Sequence, residues 1–207
     1  MIRVLGRQTS GNVQKVLFML EELGVKYVRE DYGRQFNNTN TEAYRKLNPN
    51  MKVPTLVDGE VTSWESNTIL RYLADTYGKA LTGATPAEKT QVERWMDWLL
   101  ASVNAPYLAV FKDAKKPAAE RGADFATQSG ELVGLLNILD GHLAGKSWLA
   151  LDRFTIADIA VAPIVKRCVE FPIEKPALPE VGRWLKAVES RPAFAAASGA
   201  KASASAA

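Results

Sequence analysis

The chain has 207 residues, of which 47% are hydrophobic and 24% are charged, as is ordinary for a globular protein of one or two cores. Its formal net charge is +3 and its basic residues are scattered, so nucleic-acid binding has little support. No membrane helix and no signal-peptide core are found, which together with the lone Cys168 favours a reducing, cytoplasmic compartment. His142 is the single histidine, and no zinc-like spacing accompanies it, so no metal site is expected.

The first elements in chain order are a strand at Ile2-Arg3-Val4-Leu5 and a helix that ends at Gly24. Between them lies the polar turn 6–12, GRQTSGN, which places hydroxyls and an amide at the N-terminus of the helix. The positive end of a helix dipole stabilises a thiolate. We therefore predict that this turn is the chemical centre of the protein.

A second strand is predicted at 27–32, and its position after a helix favours parallel pairing with the first strand. An irregular polar loop follows at 33–40. Residues 41–47 are predicted to form a short helix, which Asn48-Pro49 ends.

The segment 48–77 contains the next strands and helix. Asp58-Gly59 predicts a hairpin between two short strands, and Glu65-Ser66 opens an amphipathic helix. A helix N-terminus with a carboxylate and a hydroxyl can hold a zwitterionic amino-acid end. Pro54 keeps Val53 extended, so the backbone of Val53 can pair with a bound peptide as a strand would.

These residues, V-P-T-L followed by a hairpin and E-S-N-T-I-L-R-Y-L, resemble the glutathione site of the cytosolic glutathione transferases. The resemblance implies that Pro54 is cis, that Val53 pairs with the cysteinyl backbone, and that Lys52 lies near it. It also implies that Glu65 and Ser66 hold the γ-glutamyl end. The alternative is that Glu65 and Ser66 only cap the helix.

The loop 33–40 reaches the glycyl carboxylate of glutathione in that family, which makes Arg34 or Asn38 a candidate contact. The segment S-G-N-V-Q-K-V is similar to the T-P-N-G-x-K pattern of the nu-class and Ure2-like branch. That similarity suggests Ser10 and Asn12 as partners of the thiol, with Thr9 left open. No tyrosine lies in this turn, and helix capping is the alternative role.

The domain boundaries follow from a change in the sequence pattern after Tyr77, where a linker with glycine and proline precedes a helical region. We predict a glutathione-binding domain at 1–77, a linker at 78–86 and a helical domain at 87–207, whose tail 195–207 frays. In the helical domain, Trp98 and Tyr107 are candidates for a second-substrate pocket, although aromatic residues at helical spacing are more often core.

Thr155 and Asp158 predict a capping box in the helical domain, with a role in folding and not in chemistry.

The predicted fold is an α/β thioredoxin-like N-terminal domain, βαβαββα, followed by an all-α helical bundle domain. The resemblance implies a homodimeric glutathione transferase of detoxification, which uses glutathione as co-substrate, needs no metal, and attacks a hydrophobic electrophile. The alternatives are a glutathione-dependent disulfide reductase or peroxidase of the same fold, or a non-catalytic glutathione- or ligand-binding relative. Neither a nucleic acid nor a membrane is expected as partner.

Overall fold

The computed structural model describes residues 1–199, which form two compact units. Of these described residues, the first unit contains Met1–Ala84 and 188–199, and the second contains Thr85–Ala187.

The first unit is built on a four-stranded sheet of order β2-β1-β3-β4. Its strands are β1 (Ile2–Leu5), β2 (Tyr27–Glu30), β3 (Thr55–Asp58) and β4 (Val61–Trp64). β1 and β2 are parallel, as predicted, and β3 is antiparallel to both β1 and β4. The hairpin between β3 and β4 turns at Gly59, whose φ of +58° is easily adopted by glycine.

The helices that cover this sheet are α1 (Gly11–Leu23), α2 (Glu42–Leu47) and α3 (Ser66–Tyr77). α1 ends where Gly24 adopts the left-handed conformation (φ 62°, ψ 23°), and α2 begins where Thr41 accepts a hydrogen bond from the Tyr44 N–H. The order βαβαββα confirms the predicted thioredoxin-like fold.

The second unit is helical, as predicted. It contains α4 (Pro86–Trp98), α5 (Asn104–Asp113), α6 (Phe125–Leu143), α7 (Ile156–Glu170) and most of α8 (Pro179–Glu189). A π-helical turn, Leu99–Val103, joins α4 to α5. We attribute this wide turn to Pro106, which has no N–H to donate to the preceding turn and whose ring crowds a carbonyl of that turn.

The predicted capping box lies at the start of α7. Thr155 Oγ1 accepts from the Ala157 N–H, and the Asp158 carboxylate accepts from the Thr155 N–H at 2.9 Å. Asp158 also accepts from Trp184 Nε1 at 2.9 Å and from the Leu149 N–H at 3.1 Å. Burial raises the pKa of Asp158 to about 6. The carboxylate therefore accepts hydrogen bonds from three segments of the helical unit, at Leu149, Thr155 and Trp184.

The boundaries of the units differ from the predicted domains. The first unit continues to Ala84 instead of ending at Tyr77, and the last helix, α9 (Pro192–Ser198), belongs to the first unit and not to the helical one. α9 packs against α1, where the rings of Phe18 and Phe194 meet edge to face at 5.3 Å. The predicted fraying tail 195–207 is thus helical as far as Ser198, and residues 200–207 lie outside the described residues.

Candidate functional site

The N-terminus of α1 carries the predicted thiol partners. Ser10 is the N-cap residue and is extended (φ −83°, ψ 125°), yet within the described chain its hydroxyl makes no capping hydrogen bond. The first N–H groups of a helix have no partner within the helix, so those of Gly11 and Asn12 remain donors at its positive end. The alternative role of Ser10, helix capping by its side chain, is therefore not seen in the described chain.

Asn12 and Ser66 join the two halves of the predicted site. Ser66 Oγ donates to Asn12 Oδ1 at 3.4 Å, although 54 residues separate the two side chains in sequence. Ser66 is buried, with 6% of its surface exposed, whereas Asn12 is exposed. Because its amide oxygen accepts from Ser66, Asn12 still has two amide hydrogens to offer to another acceptor.

The segment before β3 has the conformation that the resemblance implies. The Val53-Pro54 peptide bond is cis. Pairing of β3 with β1 ends at Thr55, opposite Leu5, so Val53 lies outside the ladder. The backbone of Val53 is therefore at the end of a strand, where an extended peptide can add to the sheet.

Tyr44 and Asn48 hold this segment in place. The carbonyl of Lys52 accepts from Tyr44 Oη at 2.8 Å and from Asn48 Nδ2 at 2.7 Å, and both side chains also contact Thr55 Oγ1. Tyr44, Asn48 and Thr55 are buried, and burial raises the pKa of Tyr44. The exposed side chain of Lys52 is left out of this network. Sequence reasoning interpreted Asn48 only as the end of a helix and missed both positioning residues.

Glu65 occupies the N-cap position of α3 in an unusual conformation, with φ 67° and ψ 115°. A positive φ in a non-glycine residue costs on the order of 1–3 kcal/mol and persists where its surroundings enforce it. Within the described residues the Glu65 side chain makes no capping bond, and its Oε1 accepts from Asn50 Nδ2 at 3.3 Å. The exposed carboxylate is therefore not a helix cap, which favours the ligand-binding interpretation.

Lys15 is a second residue that sequence reasoning missed. It lies in α1 with only 4% of its surface exposed, and burial lowers the pKa of its ammonium group to about 7, while the charge of Glu65 acts in the opposite direction. In the sequence Lys15 is an ordinary polar position of an amphipathic helix, and the one available signal was its place in the S-G-N-V-Q-K pattern.

Of the two candidates for the glycyl carboxylate, Asn38 is engaged within its own loop. Its Oδ1 accepts from the Gly33 N–H at 3.0 Å, and its Nδ2 donates to the Asp31 carbonyl at 2.9 Å. Both ends of the amide thus hold the loop together, which disfavours Asn38 as a ligand contact. Arg34 is exposed at the start of a 3₁₀ turn, and its contact with the carboxylate stays a prediction.

Arg7, in the turn 6–12, is a cation near this loop to which sequence reasoning gave no role. A Cβ atom at Gly33 would lie 2.9 Å from Arg7 Nη1 and 3.3 Å from the side chain of Val53. The Arg7 guanidinium therefore lies near the segment with the cis peptide. Glycine at position 33, with φ +84°, permits this close approach.

The candidates for a second-substrate pocket lie in the helical unit. Trp98 is partly exposed and meets Trp95 edge to face at 5.3 Å. Tyr107 is 6% exposed and stacks on Phe171 at 5.9 Å, with Phe111 beside both. Its burial favours a core role for Tyr107, and the pocket stays a prediction.

Within residues 1–199, no helix is long and apolar enough to cross a bilayer. In the same part of the chain, no cluster of three or more His, Cys, Asp or Glu side chains is arranged to hold a metal ion.

Comparison with protein families gave matches in both units. Residues 9–76 match the N-terminal domain of glutathione S-transferase, and residues 103–192 match its C-terminal domain. The chain is 35% identical to glutathione S-transferase GstB of Escherichia coli K12 over 198 residues, which cover 93% of this chain and 95% of GstB. It is also 32% identical to the disulfide-bond oxidoreductase YghU of the same organism, over 88% of this chain and 69% of YghU.

A solved structure gives the same result. The theta-class glutathione S-transferase of Xanthomonas axonopodis pv. citri, with glutathione bound, superposes with a TM-score of 0.89. Its sequence is 39% identical, and the match covers 94% of this chain and 95% of that one.

Proposed function

Because the chain belongs to the glutathione S-transferase family, we propose that it is a transferase that activates the thiol of glutathione for attack on a hydrophobic electrophile. GstB matches this chain over nearly the full length of both proteins, and the theta-class structure carries bound glutathione. Glutathione is the co-substrate.

The contact between Asn12 and Ser66 is the observation that carries the assignment of the site. It brings the N-terminus of α1, which can bind a thiolate, to the N-terminus of α3, which presents the Glu65 carboxylate. Val53 supplies a strand end with a cis-proline beside it. The proposed arrangement puts the γ-glutamyl end at Glu65 and Ser66, and the thiol at the start of α1.

The proposed mechanism is ionisation of the thiol followed by nucleophilic substitution. Ser10 Oγ, Asn12 Nδ2 and the open N–H groups of α1 donate to the sulfur and lower its pKa from the ordinary thiol value of about 8.5. The proton leaves to solvent, and the thiolate forms a carbon–sulfur bond while the leaving group departs with its electron pair. Donors fixed in place before the reaction stabilise the anion most effectively.

Several further features belong to this proposal. The electrophile would bind beside aromatic residues of the helical unit, with Trp98 and Tyr107 as candidates. The protein would work as a homodimer in the cytoplasm. The contacts of glutathione with Lys52 and of its glycyl carboxylate with Arg34 complete the proposed site.

Disulfide reduction is the second candidate function. Its support is the similarity to the disulfide-bond oxidoreductase YghU, together with the turn 6–12, which offers hydroxyl and amide donors and contains no tyrosine. In this reaction the thiolate attacks one sulfur of a disulfide and expels the other as a thiolate. Comparing turnover of an aryl halide with turnover of a mixed disulfide, each with glutathione, separates the two activities.

The proposed site is tested by Glu65→Gln and Ser66→Ala, with Glu60→Gln in the exposed hairpin as the matched control. Loss of a hydrogen bond to a charged group costs about 1.5–3 kcal/mol, so calorimetry should show glutathione affinity reduced about tenfold or more. The Glu60 variant should bind as wild type does. Unchanged affinity in both variants would exclude Glu65 and Ser66 as glutathione contacts, and a wild-type protein without affinity for glutathione would contradict the proposed function.

A further inference from the structure

Lys15 faces the proposed site from inside the protein. It lies three residues after Asn12 in α1, so the two side chains share one face of the helix. Asn12 accepts a hydrogen bond from Ser66, and Lys15 experiences the charge of the neighbouring Glu65. The face of α1 that carries Asn12 and Lys15 is therefore opposite the pair that starts α3.

The burial of Lys15 is energetically unfavourable. Lysine is almost never fully buried unless it is paired, because removing an ammonium group from water is costly. Here only 4% of the residue is exposed, and the attraction of Glu65 offsets only part of the burial effect on the pKa. An apolar side chain at this position would fill the core of the first unit at lower cost, so the charge points to a role in function.

The elements around Lys15 supply few other charges. α1 packs against β1, α3 and α9, and α9 contains no ionisable side chain. In β1, Arg3 pairs with Glu30. α3 carries Arg71 and Asp75, and Glu65 at its N-cap is the carboxylate that acts on Lys15.

We propose that Lys15 is a positioning residue of the glutathione site, which orients the Glu65 carboxylate when it is protonated and so strengthens binding of the γ-glutamyl end. This inference rests on the proposed function. A carboxylate accepts several hydrogen bonds, so Glu65 can face Lys15 and a ligand ammonium group at once. A positive charge beneath the N-terminus of α3 also favours the ligand carboxylate there.

The inference predicts that binding depends on pH. The pKa of Lys15 is about 7, so its charge is present at pH 6 and mostly absent at pH 8. Affinity for the γ-glutamyl end should therefore fall as the pH rises through this interval. By linkage, binding at pH 7 takes up protons.

The experiment uses S-methylglutathione, because this probe has no thiol that titrates. Calorimetry at pH 6 and pH 8 should show wild-type affinity at least about threefold weaker at the higher pH, since the charge-dependent part is lost. Lys15→Met should bind at both pH values as weakly as wild type does at pH 8. The arginine of Lys15→Arg does not titrate in this range, so this variant should bind at both pH 6 and pH 8 as tightly as wild type binds at pH 6. Lys26→Met, at an exposed position, is the matched control and should keep the wild-type profile.

Three outcomes would overturn the inference. Wild-type affinity that is equal at both pH values would do so, as would a Lys15→Met variant with the wild-type profile. If Lys15→Met fails to fold, Lys15→Arg decides. The inference is overturned if the Lys15→Arg variant loses as much affinity between pH 6 and pH 8 as wild type does. Wild-type protein that binds no S-methylglutathione at either pH would overturn the proposed function itself.

Discussion

Ser10 and Asn12, at the start of α1, both keep side-chain hydrogens that can be donated to a thiol. The Ser10 hydroxyl is not used as a helix cap, and the Asn12 amide keeps its hydrogens because its oxygen accepts from Ser66. Two side-chain donors and the open N–H groups of the helix can thus converge on one sulfur. Because several groups donate to the sulfur, substitution of either residue should remove only part of the thiol activation.

We expect Ser10→Ala and Asn12→Ala each to raise the thiol pKa seen in the pH–rate profile of conjugation. A hydrogen bond to an ion contributes roughly 1.5–3 kcal/mol, so removal of the dominant donor should slow turnover about tenfold or more at neutral pH. Glutathione affinity should change little, because the γ-glutamyl contacts remain. Thr9→Val tests the third candidate, and pH–rate profiles that are unchanged in all three variants would assign activation to the helix dipole or to another residue.

Lys15 should also make stability depend on pH. Burial lowers its pKa in the folded protein to about 7 from 10.5, so between these values the unfolded chain binds more protons and stability rises with pH. Lys15→Met should abolish this rise and be the more stable protein below pH 7, by at most about 5 kcal/mol at 1.36 kcal/mol per pKa unit. Urea unfolding of both proteins at pH 6 and pH 9 measures the difference, and a variant less stable than wild type at pH 6 would contradict the expectation.

At the scale of elements, α9 completes the first unit. It covers α1 through the contact of Phe194 with Phe18, and Arg191 at its N-cap forms an ion pair with Glu22. Gln8, in the turn that leads to the proposed thiol site, also donates from Nε2 to the Ala196 carbonyl of α9 at 3.4 Å. The C-terminal helix therefore supports the helix that carries Ser10 and Asn12.

Phe194→Ala should lower the free energy of unfolding by about 3–5 kcal/mol, because a buried aromatic ring is replaced by a cavity. Phe194 is 7% exposed, whereas Phe36, at 39% exposed, offers a matched control. Phe36→Ala should stay close to wild type in urea unfolding. A Phe194 variant with wild-type stability would show that α9 contributes little to the unit.

For the whole molecule, the edge of the sheet bears on assembly. β4 is an edge strand, and Val61 and Trp64 are 42% and 37% exposed on it. Nearby in the same unit, Tyr72 and Tyr77 donate to the Asp58 carboxylate at the hairpin, and this bonding raises the pKa of Tyr77 to about 12. An edge with exposed apolar side chains tends to be covered by a partner.

We therefore expect a homodimer at micromolar concentration, with a mass by light scattering twice that of the chain. Trp64→Lys, which puts a charge on the edge strand, should weaken the dimer if β4 lies in the interface, whereas Leu108→Lys, at an exposed position of α5, serves as the control. Monomeric wild-type protein would contradict the prediction, and a dimer that the Trp64 variant leaves intact would exclude β4 from the interface.

Sequence reasoning predicts the features that depend on residues close together in the chain. Asp58-Gly59 specifies a tight hairpin, Gly24 ends α1, and Thr155 with Asp158 forms the capping box, because turns and caps are made by residues a few positions apart. The ordered set from Val53 to Ser66 was recognisable for the same reason. The thioredoxin-like order followed from these local signals.

Contacts between residues that are distant in sequence become visible in the folded structure. Lys15 has the pattern of a surface position although the folded chain buries it, and Tyr44 and Asn48 acquire their role from the carbonyl of Lys52. α9 joins the first unit although 169 residues separate Arg191 from Glu22. Burial, and the pKa values that it changes, arise from contacts between segments that are far apart in the chain, and these contacts have no local signature in sequence.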